Sequence, residues 1–212
     1  MAKAKTEEVL GISPPNFQEA EFVIEGTSPY VQCKFSEKAR EEMKAVQEKG
    51  SQARKGAAKK PKDFTECYEQ AKHVAMDGWC GIPAPAFRNA MISACKLVGF
   101  HMTKAKLAVF VEPDGFDRSD ASPLVKISKG KPTEFIVPVR LKSGVVDLRP
   151  RPKWDAGWQA KVRVKFDKDQ FSLEDVANLL SRVGQQVGIG EGRHDSKSSN
   201  GQGWGCFKIL EK

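Results

Sequence analysis

The sequence predicts an α+β fold in which two helices cover one face of a sheet. A two-residue alternation of apolar and polar side chains marks strands at 20–25 and 158–166. Apolar residues spaced three to four apart mark helices at 83–98 and 172–187. With further strands between and after these helices, the core order is βαββαβ. This is the ferredoxin-like or RRM-like plan, here with long insertions.

The chain is predicted to form one domain over residues 16–212, after a flexible leader at 1–15. Its first strand is followed by a helix over 36–50. Ser36 is placed to cap the start of this helix, and Gly50 is placed to end it.

A run of basic residues lies between that helix and a short helix predicted over 64–75. Residues 49–62 contain six lysines and arginines and no acidic residue. Their Gly, Ala and Ser content cannot build a core, so we interpret about 36–75 as a basic, partly disordered insertion. The alternative is a merely solvated linker. If the insertion binds a partner, its contacts are predicted to be Arg54, Lys55, Lys59 and Lys60.

The helix at 83–98 has clear start and stop signals. Pro83 and Pro85 suit a first turn, where no internal amide bond is lost, and Gly99 suits the exit. After it, apolar runs separated by turns that contain glycine or proline predict a β-hairpin insertion at about 106–153.

Two basic rows are predicted on exposed strand faces. In the strand at 158–166, alternate residues lie ~6.7 Å apart, close to the phosphate spacing of an extended single strand. The alternative is an ordinary solvated outer face. In "LRPRPKW", basic residues alternate beside Trp154, which suits phosphate neutralisation and base stacking. The first row is Lys161, Arg163 and Lys165, and the second is Arg149, Arg151 and Lys153.

The segment "VGIGEGRHDSKSSNGQGWGCF" follows a helix that Ser172 and Asp175 are placed to cap. Glycine allows positive φ and close backbone approach, so amides here can face a phosphate. The alternative is a flexible connection after a helix end. Because the glycines follow a helix and no GKS or GKT occurs, a Rossmann or P-loop site is excluded. The predicted contacts are Gly188, Gly190, Gly192, Arg193, His194, Gly203, Trp204 and Gly205.

Two of these motifs resemble motifs of the RAMP superfamily, the guide-RNA-binding backbone subunits and guide-processing endoribonucleases of CRISPR systems. "GIG…GWG" is similar to the family's glycine-rich loop, and "GIPAPAFRNAMISA" to the "IPxxxxRxA" start of its first helix. The chain also looks similar to proteins of tailed bacteriophages. The resemblance implies an RRM-like core that grips single-stranded RNA through the loop glycines, Trp204 and Arg88, and it implies self-association. The extra "DSKSSNGQ" makes this loop longer than usual.

Composition restricts the function classes. No apolar run approaches the ~20 residues of a membrane span, and "MAKAKTEEVLGI" lacks the core of a secretory signal, which predicts a cytoplasmic protein. The five cysteines are dispersed and share no ligand spacing with the three histidines, so no disulfide frame, metal or cofactor is predicted. The net charge of +8 favours a polyanionic partner.

No catalytic residue is assigned from the sequence. Metal-independent RNA cleavage commonly uses histidine as base and acid, but His73, His101 and His194 have no partner fixed by spacing. The aspartates of "EPDGFDRSD" miss the EF-hand spacing, which predicts an exposed turn.

The sequence therefore predicts a non-catalytic protein that binds single-stranded RNA or DNA and associates into a homo-oligomer or filament, without a membrane partner. Two alternatives stay open. One is a phage counter-defence protein in the host cytoplasm that binds a host CRISPR complex or sequesters a nucleotide signal. The other is a metal-independent endoribonuclease of the guide-processing kind.

Overall fold

The computed structural model describes residues 13–35, 37–48, 61–140, 143–195 and 201–210. Within these residues the architecture is α+β, with one seven-stranded and one three-stranded sheet, both antiparallel. The strands are β1 Phe17–Gly26, β2 Tyr30–Val31, β3 Gly81–Pro83, β4 Val109–Glu112, β5 Gly115–Phe116, β6 Pro123–Lys129, β7 Thr133–Arg140, β8 Val146–Trp154, β9 Gln159–Asp167 and β10 Phe207–Ile209. The helices are α1 Glu37–Glu48, α2 Phe64–Gln70, α3 Ala84–Ala94, α4 Met102–Ala108 and α5 Leu173–Arg182.

The larger sheet is centred on β1 and β9, which pair along nearly their full lengths. β10 pairs with the other edge of β1, while β4 and β6 both pair with the other edge of β9. Alternate β9 residues, from Ala160 to Phe166, are buried in the core. This confirms the face assignment that the alternation predicted, because successive side chains of a strand point to opposite faces.

Helices α3 and α5 contribute to the same core as the buried face of β9. α3 starts directly after Pro83, one residue later than predicted, so Pro85 but not Pro83 lies in its first turn. Its continuation as a 3₁₀ turn, Cys95–Val98, ends at Gly99 as predicted. The α5 capping box is also present, since Asp175 N donates to Ser172 Oγ at 3.1 Å. Leu173, the first residue of this helix, is 50 % exposed.

The smaller sheet has the order β2–β8–β7, and β7 and β8 form a long hairpin. A cluster of buried rings connects this sheet to the larger one. The ring centroid of Tyr30 in β2 lies 5.5 Å from that of Trp154 and 5.6 Å from that of Trp158. Trp154 ends β8 and Trp158 precedes β9, so the cluster holds the hairpin against the core.

Two predicted boundaries are wrong. The helix expected over 64–75 ends at Gln70, because the residues after it form bridges and β3. The hairpin insertion expected at about 106–153 is shorter, since β4 and β6 belong to the larger sheet and only Thr133–Trp154 lies outside it. Short apolar runs do not specify which sheet a strand joins.

Candidate functional site

The glycine-rich loop, defined as the described residues 188–195 and 201–206, contacts one face of the β7–β8 hairpin. The ring of Trp204 lies edge-on to that of Phe135, with 5.7 Å between centroids. Arg151 is 8 % exposed, and its Nε donates a 2.7 Å hydrogen bond to Glu191 Oε2. Two segments that the sequence marked separately thus meet at one place. We call the loop together with Phe135, Arg149, Arg151 and Lys153 the loop–hairpin surface.

Close packing explains two of the loop's glycines. A Cβ added at Gly190 would lie 2.6 Å from the carbonyl oxygen of Val31. One added at Gly205 would lie 1.8 Å from the carbonyl oxygen of Ile189, and φ of Gly205 is +71°. Any side chain at either position would collide with backbone, so these glycines are required by the fold itself.

Some loop amides are used inside the protein. Gly188 N donates to Val183 O at 2.8 Å, and Gly205 N donates to Pro29 O at 2.7 Å. For these two amides the prediction that they face a phosphate is wrong, because internal carbonyls already accept their protons. Three other glycine amides have no backbone acceptor within the described part of the chain: Gly190, Gly192 and Gly203.

The basic side chains of the hairpin already have partners. Lys153 Nζ lies 5.2 Å from the centroid of the Phe135 ring and 2.9 Å from Asp155 Oδ1. Arg149 Nε donates to Asp147 Oδ2 at 2.9 Å. Exposed ion pairs of this kind contribute only about 0–1 kcal/mol, so a phosphate can replace either carboxylate at small cost.

Arg193 and His194 lie in the loop as predicted. Arg193 Nη1 donates to the carbonyl oxygen of Gly190 at 3.0 Å, which fixes its guanidinium beside the loop backbone. His194 is exposed, and its ring lies near Gly203. The ring is therefore accessible for stacking.

The hydrogen bonds of Arg88 go to residues at the end of α4 and the start of β4. Its Nε donates to Val109 O at 3.0 Å, and its guanidinium lies over the Phe110 ring, 5.2 Å from the centroid. A second bond from this guanidinium goes to the carbonyl of Lys106. Arg88 therefore ties α3 to the start of β4, and its role in the loop's binding site stays a prediction.

The basic row of β9 is exposed but paired with carboxylates. Lys161 Nζ lies 2.9 Å from Glu21 Oε1, and the Lys161 side chain is 53 % exposed. Arg163 Nη2 lies 3.0 Å from Asp114 Oδ1, and the Arg163 side chain is 38 % exposed. None of the three basic residues of this row lines the cleft that lies between α3, β2 and the glycine-rich loop.

The register of β1 explains this pairing. Glu19 lies directly opposite Lys165, and Glu21 lies opposite Arg163. An acidic row on β1 therefore runs beside the basic row on β9, while Lys165 Nζ lies 5.2 Å from the centroid of the Phe17 ring. The face is open, as predicted, but the expectation of a bare cationic face is wrong.

The four basic residues predicted to bind at 54–60 lie within 49–60, which is outside the described residues, and so are 1–12, 36, 141–142, 196–200 and 211–212. Ten of the 35 basic and three of the 27 acidic residues of the chain lie outside, which leaves 25 and 24 in the described part. The net charge of +8 is therefore carried almost entirely by the rest of the sequence. Residues 49–60 alone contain five of those ten basic residues.

A cleft of about 500 Å³ lies between α3, β2 and the glycine-rich loop. His73 is among the residues that line it, and a buried carboxylate holds this imidazole. His73 Nδ1 lies 3.2 Å from Asp117 Oδ2, and Lys34 Nζ donates to Asp117 Oδ1 at 2.6 Å. Asp117 is only 2 % exposed, so the predicted exposed turn is wrong at this residue.

The protonation of this cluster follows from its surroundings. Burial lowers the pKa of His73, and the positive charge of Lys34 lowers it further. Burial alone would raise the pKa of Asp117, but hydrogen bonds from Lys34 and Ser119 outweigh it and hold that pKa below its ordinary value. At neutral pH, His73 is thus a neutral imidazole whose Nδ1–H donates to a carboxylate, which leaves Nε2 as the acceptor.

The sequence carried no signal for this cluster. His73 and Asp117 are 44 residues apart and belong to no known spacing pattern. What brings them together is the isolated bridge between Ala75 and Asp117, followed by the pairing of β5 with β6.

No protein-family model matches the chain, and no curated protein matches it.

The described residues show three further features that bear on the site. They contain no group of three or more His, Cys, Asp or Glu side chains placed to hold a metal ion. The five cysteines are free thiols. None of the helices in this part of the chain is long and apolar enough to cross a bilayer.

Proposed function

We propose that this protein binds single-stranded nucleic acid, RNA or DNA, along the loop–hairpin surface and has no catalytic activity of its own. The observation that carries the proposal is the meeting of Trp204, Phe135 and Lys153 beside the glycine-rich loop. Proteins that bind single strands combine aromatic rings, on which bases stack, with cationic groups that neutralise phosphates. Neither kind of contact depends on the base sequence of the nucleic acid.

The fold supports the same proposal. The pairing of β10 with β1, of β1 with β9 and of β9 with β4 supports this, since a ferredoxin-like βαββαβ core has its fourth, first, third and second strands in that order. We propose that the fold is RAMP-like, with β7 and β8 as an added arm. Fold analogy alone does not establish a function, so the site residues carry the argument.

The charge distribution gives the two parts of the chain different roles. Because the described residues are nearly neutral, the long-range attraction to a polyanion comes mainly from the basic residues at 49–60. The loop–hairpin surface then provides short-range contacts with bases and phosphates. Affinity should fall steeply with salt, because each neutralised phosphate releases counterions.

The test is fluorescence anisotropy of a labelled oligonucleotide at several salt concentrations. Trp204→Ala should weaken binding about tenfold or more, since one base–aromatic stack contributes about 1–3 kcal/mol. The matched control is Phe116→Ala, because Phe116 is an exposed aromatic residue in β5. Equal losses in both variants, or tight binding that does not change with salt, would contradict the proposal.

The His73–Asp117 pair favours a second candidate, a metal-independent endoribonuclease. Nε2 of His73 would accept the proton of a ribose 2′-hydroxyl. The oxygen then attacks the adjacent phosphorus, the bond to the 5′-oxygen breaks, and that oxygen leaves with a proton from water. Incubation of labelled RNA in chelator would test this. Cleavage by the wild type and by His194→Ala, but not by His73→Ala, would establish it, and intact RNA would exclude it.

A further inference from the structure

The cleft beside the loop–hairpin surface has the dimensions and walls of a site for one nucleobase. Its volume of about 500 Å³ lies in the ~300–1,000 Å³ range of ligand pockets. Part of its lining is aromatic or aliphatic and would cover the faces of a planar ring: Tyr30, Pro83, Ala86, Ala90, Val187 and Ile189. Such a lining suits a flat heterocycle better than a phosphate.

Three polar side chains that line the cleft have no side-chain partner within the described residues. Asn89 and Ser93 lie on α3, and Asp195 lies in the glycine-rich loop. None of the three makes a side-chain hydrogen bond or ion pair with another residue in the described ranges. An amide, a hydroxyl and a carboxylate together supply both donors and acceptors for the polar edge of a base.

The charges of the lining discriminate between ligands. Glu191 is neutralised by Arg151, and Arg193 is bonded to a backbone carbonyl. Asp195 lines the cleft without a basic partner among the described residues. A carboxylate repels a phosphate, but it accepts hydrogen bonds from an amino group such as N4 of cytosine.

We propose that the cleft holds one unstacked base of the bound strand and that Asp195, with Asn89, selects a base that carries an amino group. This inference rests on the proposed function, because the strand along the loop–hairpin surface delivers the base. Uracil presents a carbonyl oxygen where cytosine presents its amine, so Asp195 would face an acceptor and uracil would be disfavoured. Splayed bases read on their Watson–Crick edges are common in single-strand recognition.

The experiment compares oligouridine with the same oligomer carrying one central cytidine, as RNA and as DNA, by anisotropy. The wild type should bind the cytidine oligomer about tenfold more tightly. Asp195→Asn should remove or reverse this preference, because the amide can donate to O4 of uracil. For oligouridine the affinity should rise rather than fall, because the amide donates to O4 where the carboxylate offers only acceptors. The control is Asp77→Asn, which makes the same charge change on an exposed turn.

The outcomes separate this inference from the proposed function. Equal affinity of the wild type for both oligomers overturns the inference while nucleic-acid binding stands, and so does a preference that survives in Asp195→Asn. If no oligomer binds, the proposed function fails. Changes in amide chemical shifts on adding free cytidine or free uridine then test base binding in the cleft separately from strand binding. Saturable shifts at the cleft with cytidine alone support the inference, and shifts with neither nucleoside overturn it.

Discussion

Two surfaces of this protein carry basic residues that alternate along a strand, and they differ in what lies beside them. On the open face of β9, Lys161 and Arg163 face carboxylates. On the loop–hairpin surface Lys153 is also paired, with Asp155 2.9 Å away, but it lies over the Phe135 ring, beside Trp204 and a cleft. The same pattern of sequence thus produces paired cations in both places, and the row on the hairpin also has an indole ring and a cleft beside it.

The difference shows that the neighbouring strand decides what a basic row can do. An exposed cation with a carboxylate 2.9 Å away, as at Lys161, adds little to the potential that a distant phosphate experiences. Lys153 has a carboxylate at the same distance, so the loop–hairpin surface differs by its rings and its cleft rather than by an unpaired charge. We therefore expect substitutions on the two surfaces to have very different effects on binding and on stability.

The largest effect is expected at Gly205, and it shows how far the glycine-rich loop serves the fold. Gly205→Ala would place a Cβ 1.8 Å from the carbonyl oxygen of Ile189, so the free energy of unfolding should fall by about 3 kcal/mol or more. Gly144→Ala is the control, because Gly144 also has positive φ but has open space around it, and should lose only about 1 kcal/mol. Urea denaturation measures both. Similar losses would mean that close packing does not explain Gly205.

The next prediction compares two carboxylates of one short segment, a buried one and one on the open face of β9. Asp117→Asn leaves the charge of Lys34 buried without its partner, which should lower the free energy of unfolding by about 3 kcal/mol. Asp114→Asn removes a carboxylate whose partner, Arg163, is solvent-exposed and should lower it by about 1 kcal/mol or less. A larger loss of stability in Asp114→Asn than in Asp117→Asn, measured by urea denaturation, would contradict this prediction.

A smaller effect concerns the basic residues at 49–60. Replacing Arg54, Lys55, Lys59 and Lys60 by alanine should weaken oligonucleotide binding about tenfold at low salt. It should also make the plot of log affinity against log salt shallower by up to about 3, since each phosphate contact with a single strand contributes ~0.7. The double variant Lys161→Ala and Arg163→Ala should change that slope by less than one. A larger change of this slope in the double variant would mean that the β9 face contacts the oligonucleotide.

The smallest effect is a dependence of stability on pH that comes from His73. Its pKa is lowered in the folded protein, so between that value and the ordinary value of about 6.5 the unfolded chain binds more protons. Stability should therefore decline as pH falls below about 6.5. His73→Asn should flatten this decline and His194→Asn should not, by urea unfolding at each pH. The lowered pKa of Asp117 acts in the same direction at lower pH, where protonation removes its bond with Lys34.

The sequence predicted the local elements of this protein better than their partners. The alternation in β9 and the capping box of α5 were readable, because each depends on residues close together in the chain. The glutamates opposite the β9 row were not, since the register of β1 is a pairing between strands that lie about 140 residues apart. The same holds for His73 and Asp117, which only the path of the chain around β5 and β6 brings together.

The ring cluster between the two sheets has a practical consequence for following the hairpin in solution. Trp154 and Trp158 are fully buried, whereas Trp79 and Trp204 are partly exposed. A soluble quencher should therefore reduce the emission of Trp79 and Trp204 more than that of Trp154 and Trp158. Because Trp154 ends the arm and Trp158 precedes β9, swinging the arm away from the core would have to separate Tyr30 from one of the two indoles. A red shift in the protected emission would report that movement without any attached dye.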